Sequence, residues 1–327
     1  MHIPDGLMEP EVCLVTSAAA ATAVGYSLHK VKQQADDRLI PLTGVTAALI
    51  FAGQMVNFPL GLFSLPVSGH LMGGVLAAVL LGPWAGCLAM TLVLLVQALL
   101  FSDGGVLSLG ANVLHMGVLG CWGGYACYVL VKNCFRDHWK GTAFGAATAA
   151  WLTVLSAAFL LCIELYFSLE PNEFSFSRFS VLMLSLHAVI GIGEAVITLL
   201  VLKAVFQQRP DLLTPQELAP PSAGVPRRFV TTTLASALAV TFLLAPWASA
   251  SPDGLESAVD QHGLAAREIG TLFGILSEYE IPWVSSHWPA VSVGLAGALG
   301  VASVLLLALM LGRLTRNRPA LAGADSE

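Results

Sequence analysis

Apolar residues run along this chain in long blocks, without the alternation of a half-buried strand or the narrow stripe of a surface helix. Blocks of this kind predict helices that cross a bilayer, since roughly 20 residues span its hydrocarbon core. They cover about 11–29, 40–57, 70–83, 84–101, 108–132, 142–168, 180–206, 229–248 and 289–312, giving nine candidate spans. The third is short, and Gly82-Pro83-Trp84 predicts a tight reversal between it and the fourth. The expected fold is an all-α polytopic membrane protein. Its seven-helix body ends near residue 206, and two further helices form a C-terminal appendage.

Composition agrees with that class. Of 327 residues, 56% are hydrophobic and 11% charged, with mean hydropathy +0.76. A soluble domain carries about 25% charged residues. The net charge of −6 does not suggest a nucleic-acid partner. Cys13, Cys87, Cys121, Cys127, Cys134 and Cys162 lie in apolar runs without a CxxC pair and read as buried thiols. The start has no basic region, and Asp5, Glu9 and Glu11 precede the first apolar run. It does not resemble a secretory signal, so Met1 is expected to remain.

The basic residues predict the orientation. With the N-terminus outside, Lys30, Lys32, Arg38, Lys132, Arg136, Lys140, Lys203, Arg209, Arg227, Arg228, Arg313, Arg316 and Arg318 all lie inside, thirteen of fifteen. Only Arg178 and Arg267 fall outside. The positive-inside rule therefore predicts an external N-terminus and a cytoplasmic C-terminus in the inner membrane. The proline-rich polar stretch 207–228 reads as a cytoplasmic linker, and 229–327 as the appendage with an external loop over 249–288.

The first two residues raise a chemical question. A terminal amine, the amide nitrogen of His2 and its imidazole Nδ1 can close two fused chelate rings on one metal ion. Planar nitrogen ligation of this kind suits Ni(II) or Cu(II). On the dipeptide alone, an incidental exposed histidine is the favoured reading. A three-point clamp leaves one place in the square, for which His70 in "LPVSGHLMGG" is the candidate. An ionisable residue at a helix mouth in a membrane protein is a functional candidate by default.

Other polar groups fall near the same end. Asn57, Asp103, Asn112 and His115 are candidates to orient a ligating imidazole, with Gln54 and Gln97 near them; of these, Gln97 and His115 read rather as interhelical hydrogen bonds. His187 and Glu194 share a face of one helix, as a structural pair or a proton relay. Gly44, Ala48 and Ala52 recur every fourth residue, a stripe that suits close helix packing within the chain or docking of another membrane subunit. No phosphate-binding GxxxxGK[ST] loop, HExxH or GxSxG motif occurs. The chain is not expected to hydrolyse ATP itself.

Five segments, in order, carry a family resemblance: "MHIPDG", "FAGQMVNFP", "VSGHLMGGVLAAVLLGPWAG", "LVQALLFSDGG" and "LGANVLHMG". They resemble the substrate-binding membrane component of energy-coupling-factor nickel and cobalt transporters, the NikM/CbiM type. "SPDGLE" at 251–256 resembles the NikN-type two-helix partner, here fused. The resemblance implies a metal-binding body over 1–206, with ligands on the Met1 amine, the His2 amide and imidazole nitrogens, and His70. It also implies a transmembrane coupling subunit and two cytoplasmic ATPases as partners, with Gly44, Ala48 and Ala52 on the docking face. No organic cofactor is implied.

Cobalt members of that family tend to begin Met-His-Ile-Met-Glu-Gly. Pro4-Asp5 here favours nickel as cargo, with cobalt, for cobalamin synthesis, as the alternative. His115 stands where the family often has a smaller polar residue. A polytopic enzyme using His70, His187 and Glu194 is the rival from another class.

Overall fold

The computed structural model describes residues 2–34, 38–61, 66–170, 175–213, 225–270 and 274–315. Met1, most of the linker and the tail, with Arg316 and Arg318, lie outside the described residues. Helices dominate because a chain in lipid must satisfy every backbone N–H and C=O internally. Among the described residues, the one exception is a short antiparallel pairing of Phe58–Pro59 with Ser68–Gly69.

Seven described helices are long and apolar enough to cross a membrane, and Leu39–Gln54 is a shorter apolar one. One of the seven, Gly74–Phe101, folds back on itself. Gly82 takes φ 79° and ψ 165°, backbone open essentially to glycine alone, and Pro83 starts the next helix. Beyond the bend, a Cβ on Gly86 would lie 3.0 Å from the amide nitrogen of Ala78. Residues eight apart in a straight helix are about 12 Å apart, so the two arms are antiparallel neighbours, as Gly82-Pro83-Trp84 predicts. The short arm, Gly74 to Gly82, starts deep in the bundle, and this lets the loop before it enter from one end. With the hairpin opened out, the described body has seven apolar segments and the appendage two.

The appendage packs on the body rather than standing apart. Helix Pro289–Thr315 runs antiparallel to Leu39–Gln54: Gly312 faces Ile40, Gly300 faces Phe51, and Gly297 faces Met55. Gly44 lies against Leu305, while Ala48 and Ala52 are fully buried. The small-residue stripe is therefore covered by the chain's own last helix, which corrects its expected place on a free docking face. Small residues admit this neighbour because they let two helix backbones approach closely. The cysteines are unpaired; Cys87, Cys121 and Cys162 are buried as expected, but Cys134 is exposed.

Candidate metal centre

The N-terminal segment enters the bundle and is held there by hydrogen bonds. Asn112 pairs with the Ile3 backbone as a neighbouring strand would: its Oδ1 accepts from the Ile3 amide at 2.8 Å, and its Nδ2 donates to the Ile3 carbonyl at 3.1 Å. That carbonyl also accepts from the Gly105 amide at 2.8 Å and the Ser108 hydroxyl at 2.6 Å. Asp5 completes the latch. Its carboxylate accepts from the amides of Val106, Leu107 and Ser108 at 3.0, 2.8 and 3.1 Å. A Cβ on Gly105 would overlap the Asp5 carboxylate, so glycine is required for the two segments to meet. Between these anchors, Ile3 and Leu7 are wholly buried.

This latch places His2 beside His70. The two rings stack with centroids 5.1 Å apart and planes 11° from parallel. Each also faces a carboxylate. His2 Nδ1 lies 2.9 Å from Asp103 Oδ1, and His70 Nε2 lies 3.5 Å from Asp253 Oδ2. His70 Nδ1 is 3.0 Å from the Leu71 carbonyl, which can only accept, so Nδ1 donates there and Nε2 is left facing Asp253. Burial lowers the His70 pKa, against the opposing pull of the Asp253 carboxylate. His2 Nε2 is buried and makes no hydrogen bond.

The loop bearing His70 is gripped from two helices. Glu194, at the middle of helix Phe176–Gln208, accepts from the amides of Met72 and Gly73 at 2.6 and 2.9 Å. Gln54 donates to the Met72 carbonyl at 2.8 Å. From Gln54 a chain of bonds crosses to His2: Gln97 Nε2 donates to Gln54 Oε1 and to the Tyr279 hydroxyl, and Tyr279 donates to Asp103 Oδ2 at 2.5 Å. Burial would raise the Asp103 pKa, but the His2 ring and the Tyr279 hydroxyl outweigh it and hold the carboxyl below its usual range. Burial, together with that carboxylate, pushes the Tyr279 phenol up, so it stays a donor.

Of the residues singled out from sequence, His2, His70, Asp103 and Asn112 come together. Asn57 does not join them. Its carbonyl accepts from the Ser249 amide at 2.8 Å, at the seam with the appendage. His115 is also elsewhere, because the helix widens into π-helical turns from Val113 and Glu164 takes the imidazole at 3.0 Å. His187 and Glu194 are not a pair. His187 Nδ1 donates to the Met183 carbonyl at 2.8 Å, while its ring lines a small cavity with His70 and Asp253.

Asp5, Asp253 and Tyr279 were not singled out from the sequence, and Glu194 was singled out with His187 rather than for its grip on the His70 loop. Asp5 had a signal, since an aspartate in a Pro-Asp-Gly turn is a ready acceptor for backbone N–H groups. Asp253 had one too, in the Asp-x-x-Glu spacing of a helix cap. Its Oδ1 accepts from the amides of Leu255 and Glu256, and Glu256 returns the bond to the Asp253 amide at 2.8 Å. The contacts of Tyr279 and Glu194 depend on chain crossings that no local pattern encodes.

Comparison with known proteins points to metal transport. Residues 2–212 match the model of the cobalt uptake substrate-specific transmembrane region, CbiM, and residues 227–317 match the PDGLE domain. The chain is 32% identical to an Archaeoglobus fulgidus protein named for fused NikMN nickel transport, over 97% of this chain and 100% of that one. It is 35% identical to the fused nickel transport protein NikMN of Rhodobacter capsulatus, over 53% of this chain and 49% of the relative. The cobalt transport protein CbiM of Sorangium cellulosum is 30% identical, over 65% and 94%. A crystal structure described as a truncated transition metal transporter superposes with TM-score 0.56 at 31% identity, covering 64% of this chain and 99% of that one.

Proposed function

This chain belongs to the cobalt uptake substrate-specific transmembrane family, CbiM, and ends in a PDGLE domain, and we propose that it captures Ni(II) through a clamp formed by its first two residues and His70. Membership makes it a multi-pass membrane transport protein rather than an enzyme. The four donors of the proposed clamp are the Met1 amine, the His2 amide nitrogen, the His2 imidazole Nδ1 and His70 Nε2. Met1 lies outside the described residues. The observation that carries the proposal is the stacking of the His2 and His70 rings at 5.1 Å, at the end of a latched N-terminal segment.

Among the described residues, no three His, Cys, Asp or Glu side chains are placed to hold a metal ion. Main-chain nitrogens fit that shortage of side-chain donors. His2 Nδ1 engages Asp103 in the metal-free geometry. Binding metal through Nδ1 requires the ring to leave this contact, and the buried Nε2 is then the nitrogen left to donate to a neighbouring acceptor. Metal-bound histidines usually donate their other N–H in this way. The nickel preference rests on the planar nitrogen set and on Pro4-Asp5.

Uptake requires energy, which this chain takes from a transmembrane coupling subunit and two cytoplasmic ATPases. The site faces outward in this reading. Arg38, Lys132 and Arg209 gather around the Gly82 reversal, at the end remote from His70, as the positive-inside rule asks of a cytoplasmic face.

The test is equilibrium nickel binding to the purified chain, with cobalt in competition. One residue added before Met1 moves the amine out of chelate geometry and leaves every helix intact, so binding should be lost. His70→Ala should weaken binding while the protein stays folded. Unchanged affinity in both variants would falsify the clamp.

A further inference from the structure

A second cleft, of about 520 Å³, surrounds the Gly82 reversal at the end of the molecule remote from His70. We infer that it binds one anionic phospholipid, whose phosphate sits among Arg38, Lys132 and Arg209 and whose acyl chains follow the apolar walls. Nothing in this depends on His2 or His70.

The cleft opens where three helices end. Arg38 precedes helix Leu39–Gln54, Lys132 closes the span Leu109–Lys132, and Arg209 follows Phe176–Gln208. Their charges therefore stand at one level, where the hydrocarbon core gives way to headgroups. Tyr125 and Tyr128 line the cleft at the same level, as amphipathic rings do at a membrane interface.

Among the described residues, these cations share the cleft with one carboxylate, Asp211. Arg209 takes that carboxylate through Nε and Nη2, at 2.7 and 2.6 Å, and its Nη1 has no hydrogen-bond partner. Lys132 directs one ammonium donor to the Tyr128 hydroxyl at 3.0 Å and keeps the others. Like charges gathered in one cleft repel, and an anion with several acceptor oxygens relieves that repulsion.

The remaining walls decide what kind of anion fits. Leu42, Val79, Leu81 and Val129 carry the cleft inward from the charges. A free phosphate would leave this apolar part unfilled. The volume lies in the range of roughly 300–1,000 Å³ typical of ligand-holding clefts. A phospholipid fills both parts at once, and basic pockets between membrane helices take lipid headgroups in this way.

The full-length chain in detergent tests the site, with phosphatidylglycerol and phosphatidylcholine of identical acyl chains as probes. Native mass spectrometry counts the retained lipids, and thermal unfolding reports their effect. One phosphatidylglycerol should be retained in preference to phosphatidylcholine, and it should raise Tm. Arg38→Gln and Lys132→Gln should each weaken its binding by about fivefold, from about 1 kcal/mol per cation near a membrane surface, and Lys132→Arg should restore it. Lys203→Gln, which removes an exposed cation outside the cleft on helix Phe176–Gln208, should change nothing. Equal retention of the two lipids overturns the inference, as does a loss in Lys203→Gln equal to that in the cleft variants. Glycerol phosphate that displaces the lipid at equal concentration would make this a site for phosphate alone. Equal retention of both lipids, with Lys132 shielded from acylation only after partner subunits are added, would assign the cleft to a partner instead.

Discussion

Asn112 holds Ile3 by both its backbone amide and its carbonyl, at 2.8 and 3.1 Å. This one side chain fixes the peptide that follows His2, and so decides where the imidazole stands. The N-terminus reaches the site through polar contacts because lipid offers no hydrophobic gain for moving an apolar segment among helices.

Asn112→Ala removes both bonds and leaves two buried backbone groups without that partner. Each bond is worth about 0.5–1.5 kcal/mol net. Nickel affinity should fall by roughly 5–150-fold, as about 1–3 kcal/mol implies. Equilibrium binding measures this, and the helix content by circular dichroism should not change.

Gly105→Val tests the threading itself. Its side chain would occupy the place of the Asp5 carboxylate, expelling the N-terminal segment while leaving the helices paired. Nickel binding should disappear, and hydrogen exchange should rise at the amides of Val106, Leu107 and Ser108, which Asp5 now protects. Persistent protection there would mean the latch can form without glycine.

Tyr279→Phe separates the appendage's hydrogen bond from its packing. The ring stacks on Phe101 at 4.7 Å and that contact survives, while the bond to Asp103 is lost. A hydrogen bond to a charged group contributes about 1.5–3 kcal/mol. If Asp103 orients His2, nickel affinity should drop by about tenfold or more. An affinity equal to that of the unsubstituted chain would remove Tyr279 from the site.

Glu194→Gln addresses the His70 loop. A carboxylate has two acceptor oxygens for the Met72 and Gly73 amides, whereas glutamine has one and turns an NH2 toward the other donor. The mismatch should cost about 1–3 kcal/mol and appear as weaker nickel binding. Glu194→Ala should be weaker still, and a glutamine variant that binds normally would show that the loop holds without this grip.

The apolar blocks and the Gly82-Pro83 reversal were legible along the chain. Each follows from local chemistry: the thickness of a bilayer, the φ of glycine and proline, the reach of about 20 helical residues. His2 was legible as a candidate donor for the same reason, since chelation by a terminal amine, an amide and an imidazole is a property of adjacent residues, and His70 as a candidate from its place at a helix mouth.

Partnership was another matter. His115 read as an interhelical hydrogen bond without a partner to name, and the structure supplies Glu164, 49 residues away. Gly44, Ala48 and Ala52 suited either internal packing or a second subunit, and the last helix of the same chain is what packs against this face. Asp253 and Tyr279 lie far along the chain from the histidines and meet His70 and Asp103 only because the appendage folds back onto the body. Periodicity along a sequence reports which face of a helix is apolar or small. It carries no record of which helix comes to lie against that face, because packing energies depend on pairs of surfaces and are realised only when the chain closes.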